Sequence, residues 1–412
     1  MPKIRSITFF TEMELSRARE IVQEAGAFLE AAKQAFEAAG QTVQTCRVAT
    51  QAFPQWISPA ELAQLPQIVA SIFEVARQNG VDYLSIGPAS ASDSTNYIDV
   101  IPDLFAAVPG VFASVDIANQ AQGISLPLVA RVAKIIKKIS HITSDGMTNL
   151  YLAALASCPA GSPFFPVAYH AGGAPHFALA IQAADIAVSA FKEGESPVDA
   201  RNRLQTAIQQ TAGTLLPVAD ELASTHEIDF SGLDFSLAPY PTADESLGGA
   251  MESLGPVFGG AGLVASASLV MNAIEAANFP STGFSGLMLP ILEDTVLAER
   301  TAAGQLTLND LLLLSAVCGT GLDCIPLPGE VDEQVLAGIL LDVASLALRL
   351  DKPLTARLMP FPGKKPGDSL EFDFEYFANS RVLAAPRAGI TSGVLFSSEA
   401  SSQFNIVARR QK

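Results

Sequence analysis

Between Lys3 and Ala107 the hydrophobic pattern of this chain switches repeatedly between a period of two residues and one of three to four, and that alternation limits the possible folds. Lys3 to Phe10 alternates as a strand does. Leu15, Ala18, Val22, Ala25, Leu29, Ala32 and Phe36 then recur at three- and four-residue steps, an amphipathic helix that stops at Gly40. Thr42 to Ala49 reads as a second strand. Ser58, Pro59 and Glu61 read as the N-cap, first-turn proline and capping-box acid of a helix ending near Gly80. Asp82 to Ile86 is a third strand, and Ile98 to Ala107 another helix. Strands separated by helices of this length pair in parallel through crossovers, so the expected class is α/β.

The theme continues with helices expected at Leu126–Ile139, Pro197–Leu222, Leu263–Ala277, Leu308–Val317 and Glu333–Leu350, and a strand at Ser369–Phe377. No linker of Ser, Pro or like charges divides the chain. One large domain over residues 1–412 is expected, with 401–412 a loose basic tail. Pattern alone fits a barrel and an open doubly wound sheet equally well.

Composition narrows the partners. Hydrophobic residues make up 49% and charged residues 16%, which points to an extensive core and to apolar surface covered by a second subunit. The net charge of −17, with no basic run, repels phosphate backbones, so nucleic acid is not expected as a partner. Two uncharged spans, Gly146–Ala184 and Ser253–Ile274, are long enough to cross a bilayer. Both are broken by Gly, Pro, Ser or Asn, so buried core is expected and no membrane partner. Four scattered cysteines form no disulfide framework, and with no signal peptide evident a reducing cytoplasm is the expected compartment.

Several blocks carry side chains capable of chemistry. In Cys318-Gly319-Thr320-Gly321-Leu322-Asp323-Cys324-Ile325-Pro326 a thiol and a carboxylate share one short loop behind an apolar run. Cys318 and Asp323 read either as nucleophile and acid/base or as a buried apolar residue and a turn cap. His170, before Gly172-Gly173, is either a loop-apex acid/base or a satisfied core histidine. Asp234 and Ser236 share a face if their segment is a strand, and bind a substrate or brace a turn. Glu293-Asp294 either offers oxygen ligands for Mg²⁺ or Ca²⁺ or marks a helix start. Gly260, in Gly259-Gly260-Ala261-Gly262, and Ser285 with Gly286, in Gly283-Phe284-Ser285-Gly286, read as ligand-facing backbone or tight turns. No redox-cofactor motif is present, so lyase or hydrolase chemistry on a small anionic metabolite is the leading expectation, with Arg357 holding a carboxylate or phosphate. A non-catalytic metabolite-binding or regulatory homodimer is the alternative.

Taken together, Ile4-Arg5-Ser6-Ile7-Thr8, Ser114-Val115-Asp116-Ile117, Ser144-Asp145, Pro163-Phe164, Tyr169-His170, Asp234 to Pro239, Phe284-Ser285-Gly286, Glu293-Asp294, Cys318 to Asp323, Thr355-Ala356-Arg357 and Gly367-Asp368 resemble an uncharacterised prokaryotic family, domain of unknown function seven-eleven. The family is similar in fold to glycyl radical enzymes of the pyruvate formate-lyase type. That resemblance implies a ten-stranded α/β barrel with a hairpin loop entering it, the Cys318 loop in that interior position, and a homodimer. The radical motif itself is absent, since Pro386-Arg387-Ala388-Gly389-Ile390 is a poor substitute for Arg-Val-x-Gly-Tyr, so a radical mechanism is not expected.

Overall fold

The computed structural model describes residues 3–387, 393–396 and 403–408. Half of the chain expected to be a loose tail, and Ala388 to Ile390 of the radical-motif comparison, lie outside the described residues. Nine strands form the body of one mixed sheet: β1 (Lys3–Thr11), β2 (Cys46–Thr50), β3 (Tyr83–Ser90), β4 (Val111–Asn119), β5 (Leu152–Ala156), β6 (His176–Gln182), β7 (Asp229–Ala238), β8 (Gly321–Pro328) and β9 (Leu354–Phe361). Their order is β8-β9-β5-β4-β3-β2-β1-β6-β7, and three short strands attach to its flanks. From β1 to β5 every pairing is parallel, as the alternating sequence requires. The β6–β7 and β8–β9 pairs are also parallel, but each joins the central group antiparallel, at β1 and at β5.

The strand path is open, and strand pairing alone closes no ten-stranded barrel among the described residues. Residues 280–291 touch both edge strands through two isolated parallel bridges, Leu233 with Ser281 and Pro290 with Asp323. Backbone bonds support each contact: Leu233 N–H donates to Pro280 O at 2.8 Å, and Ile291 N–H donates to Asp323 O at 3.2 Å.

Both faces of the sheet are buried. Ile7, Phe9, Val48, Leu84 and Ile86 pack outward in the main core with the helices, whereas Phe10, Ala49, Phe112 and Ala178 face the other way with Phe165 and Ala168. Helix Ala18–Ala38 buries Val22, Ala25, Leu29, Ala32 and Phe36, the stripe its sequence period marked, and Phe28 beside it. The later expected helices form within a few residues of their expected ends. Two local expectations differ. Ser58 and Glu61 bond each other in a turn, and the α-helix starts only at Leu65, ending at Gln78. The tail strand shrinks to Ser369–Leu370. Among the described residues no helix is long and apolar enough to cross a membrane.

The segment that crosses the second face is not the Cys318 loop. Gly321–Pro328 is strand β8, and Cys318 lies behind it, capping helix Leu308–Ser315 through a backbone bond to Leu314 O of 2.8 Å. The face is crossed instead by residues between β5 and β6. Thr8 Oγ1 and Ser6 Oγ donate to Pro163 O at 2.9 and 3.2 Å, Ser85 Oγ donates to Ala168 O at 2.7 Å, and His170 N–H donates to Thr50 O at 2.9 Å. Small hydroxyl residues on β1 and β3, with the Thr50 carbonyl of β2, thus satisfy backbone groups of a segment that could not otherwise be buried.

Candidate functional site

Charged side chains on five segments converge on this second face. Two breaks in strand register help bring them there. β1 slips against β6 between Ile4 and Ser6, so Arg5 and Ser6 are both displaced from simple alternation. β8 slips against β9 between Leu322 and Ile325, around Asp323 and Cys324. Such bulges re-aim side chains that strict alternation would send elsewhere. Cys324 has φ of +48°, a left-handed conformation costing a non-glycine residue about 1–3 kcal/mol.

Arg357, in β9, donates from Nε and Nη2 to the two oxygens of Asp323 at 2.5 and 2.9 Å, and its Nη2 also reaches Glu293 Oε1 at 3.0 Å. Arg5 Nη2 takes the other Glu293 oxygen at 2.8 Å. Burial works against charge on Arg357, but Asp323, Cys324 and Glu293 outweigh it and hold the guanidinium well above its ordinary value. Cys324 Sγ lies 3.4 Å from Glu293 Oε1 as donor, and burial first, then the neighbouring carboxylates, keep that thiol protonated.

Arg47 is different. Its Nε donates to Thr45 Oγ1 at 2.9 Å, yet no carboxylate lies within ion-pair distance and its Nη groups have no protein acceptor among the described residues. It is only 8% exposed. Burial, then repulsion by Arg5, lowers its value to about 10. The guanidinium carbon stands 5.6 Å from the Tyr83 ring centre and 5.2 Å from that of Phe165, contacts that compensate part of the cost of burying a cation. These residues border a cavity of about 70 Å³, walled also by Gln44, Phe112, Phe164, Met288, Phe374 and Tyr376.

Of the residues singled out from the sequence, Asp323, Arg357 and Glu293 meet at this cavity. Asp234, Ser236, Ser285 and Gly286 meet one another instead. The Asp234 carboxylate accepts Ser236 Oγ–H at 2.6 Å, Phe284 N–H at 2.8 Å and Ser285 N–H at 2.9 Å, and Gly286 N–H donates to Ser236 Oγ at 3.3 Å. Burial pushes Asp234 up to about 6 against those donors. This knot ties residues 280–291 to β7, and a side chain at Gly286 would come within 3.0 Å of the Gly319 backbone. Gly260 sits in an exposed turn, its N–H donating to Val257 O.

Asp294 does not join Glu293 as a ligand pair. Its Oδ1 accepts Ser246 Oγ–H, Val296 N–H and Leu297 N–H, and its Oδ2 accepts Gly248 N–H, so it caps helix Thr295–Ala302 with both oxygens engaged. Glu293, Asp323 and Cys324 lie close enough to share an ion, but Arg5 and Arg357 already occupy the carboxylate oxygens. The donor set therefore suits a guanidinium pair better than Mg²⁺ or Ca²⁺.

His170 is a satisfied histidine away from the cavity. Gly172 N–H donates to its Nδ1 at 2.8 Å, which leaves Nε2–H to donate to Ala174 O at 3.2 Å. Its ring lies 5.0 Å from that of His176, which stacks on Phe10 at 4.7 Å. Burial lowers both histidines, and the His170 charge lowers His176 further. A base lowered in the folded state takes its proton later than in the unfolded chain. Stability is therefore full above about pH 6.5 and is lost as pH falls from there through the folded values. We expect His176→Phe to flatten this acid loss in a pH series of thermal melts; an unchanged slope refutes it.

Arg5, Arg47 and Cys324 escaped the sequence reading. The available signal was a lone arginine inside each of two otherwise buried strands, Ile4-Arg5-Ser6-Ile7 and Cys46-Arg47-Val48, where an arginine is rarely placed without a partner.

A family model described as an uncharacterised ACR, DUF711, matches residues 1–379. The chain is similar to proteins named only UPF0210. That of Methanopyrus kandleri is 31% identical over 319 residues, covering 74% of this chain and 70% of its own length. That of Methanosarcina mazei is 29% identical over 323 residues, covering 74% and 71%. That of Pyrobaculum arsenaticum is 31% identical over 318 residues, covering 73% and 69%.

Proposed function

This chain belongs to the DUF711 family, and we propose that it binds a small anionic metabolite in the Arg47 cavity and acts on it by lyase or hydrolase chemistry without a protein radical. One observation carries the reading: Arg47 is a buried guanidinium with no anionic partner among the described residues, bordering a cavity. An uncompensated buried charge is expensive, and an anion in the cavity would supply the missing partner. Asp323 and Glu293 are the groups available to relay a proton, each held in place by arginine. Cys324 adds the strained backbone that often accompanies a reacting site. A non-catalytic binding protein is the second reading, favoured by a thiol kept protonated and so not activated as a nucleophile.

The same proposal takes residues 280–291 as a tenth, irregular strand that closes the sheet into a barrel, supported by their bridges to β7 and to β8. It also takes the molecule as one domain and a cytoplasmic homodimer, for which the exposed Val257 and Leu313 offer apolar contact; sedimentation of the purified chain tests the dimer. The function is tested by titrating small anions calorimetrically against the native protein and Arg47→Gln. Binding confined to the native protein is expected; equal binding by both removes the proposal. Incubating the bound anion and following its loss then separates enzyme from binding protein.

The two cysteines give a further check. Cys318→Ala is expected to cost about 1 kcal/mol of stability through lost packing and to leave anion binding unchanged. Cys324→Ala, beside Glu293, is expected to alter it. The opposite pattern would return the site to Cys318.

A further inference from the structure

Resting on the anion-binding reading above, we propose that the cavity selects a flat, singly charged carboxylate of about five to seven non-hydrogen atoms over dianions such as sulfate, phosphate or a dicarboxylate. The charge of its wall is the first argument. The charged residues bordering the cavity are Arg5, Arg47, Arg357, Glu293 and Asp323, which is three cations against two anions and leaves one positive charge. Both carboxylates receive arginine hydrogen bonds, so Arg5 and Arg357 are already engaged and are not free to answer a second negative charge on the ligand. Cys324 contributes no charge, because burial keeps its thiol protonated. A single negative charge therefore neutralises the buried shell. A second would stand beside Glu293 and Asp323 without a cation of its own, and an excess buried charge is costly whichever sign it carries.

The space is the second argument. A cavity of about 70 Å³ holds on the order of five water-sized groups, counting about one probe sphere of 10–15 Å³ for each. The wall chemistry is the third. Tyr83, Phe112, Phe164, Phe165, Phe374 and Tyr376 present aromatic surface around the cavity, and Tyr83 and Phe165 hold Arg47 between them. Arg5 is likewise covered by the Tyr376 ring at 4.7 Å. Guanidinium groups held against rings present their N–H edges sideways, which suits the plane of a carboxylate better than a tetrahedral anion.

The test compares probes of similar size and different charge at pH 8: acrylate against sulfate, and propionate against malonate, each titrated calorimetrically into the full chain. Acrylate is expected to bind at least tenfold more tightly than sulfate, and propionate than malonate. Arg47→Gln removes the excess charge and should abolish monocarboxylate binding. Gln44→Lys replaces the amide that accepts Arg5 Nη1–H at 3.5 Å with a cation and should shift preference toward malonate by about tenfold; Glu293→Gln, where it folds, should do the same. If sulfate and malonate bind the native protein as well as acrylate does, and through Arg47, the charge selection is wrong while the anion site stands. If none of the four binds, or Arg47→Gln changes nothing, the anion-binding reading fails with it.

Discussion

Arg47→Gln is expected to abolish anion binding and at the same time make the protein more stable. The two effects have one cause. Among the described residues the guanidinium is buried, has no carboxylate partner, and is repelled by Arg5. Glutamine keeps a donor toward Thr45 Oγ1 and removes the charge, so the folded state gains about 0.5–2 kcal/mol, the usual yield when a functional strain is relieved. Binding loses a buried, hydrogen-bonded ion pair, a loss of about 2–5 kcal/mol, or roughly 30-fold and upward in affinity. Denaturant melts and calorimetry on the same variant measure both quantities. A variant that is destabilised and still binds would show Arg47 to be a structural residue, braced by its aromatic neighbours and needing no anion.

Arg357→Met is expected to act in the opposite sense, destabilising the fold by about 3–5 kcal/mol. Arg357 answers both oxygens of Asp323 and one of Glu293, and each of these residues is less than a tenth exposed. Removing it strands carboxylates that are largely buried. Asp323→Leu with Arg357→Met should recover a large part of the loss, since an apolar pair of similar volume is often as stable as a buried ion pair. The double-mutant cycle then yields the coupling between the two residues. A coupling near zero would mean that Arg5 alone supports the acids through Glu293, contrary to the bidentate geometry.

How much of this was legible beforehand can be traced residue by residue. The helices are local, and their caps and periodic stripes are written in adjacent residues, so Leu126–Ser140 and Glu333–Leu350 emerge close to where the pattern puts them. The knot around Asp234 was legible as a constellation, because Asp234 and Ser236 alternate on one strand, but its role as a brace depended on which backbone N–H groups arrived from residues 284–286. Asp294 shows the same limit. Beside Glu293 it looked like a second ligand, and one residue of helix start turned it into a cap. His170, scarce and followed by glycines, looked like a catalytic base; Gly172 N–H and Ala174 O occupy both ring nitrogens.

By itself the sequence determined the α/β class, the parallel pairing of the first three strands and the positions of most helices, because hydrophobic period and capping act over a few residues. It also determined the acidic charge that argues against nucleic acid. Only the tertiary structure decided which side chains share the cavity. Arg5 and Arg47 come from the first two strands of the sheet and Asp323 and Arg357 from the last two, and register slips at Ser6 and around Asp323 help set which face they meet. A slip of one residue reverses the face of a strand, and it depends on partners that no local window contains. For the same reason the segment crossing the inner face proved to be the one around Pro163 and Ala168, whose carbonyls find hydroxyl donors on two different strands, and not the loop at Cys318.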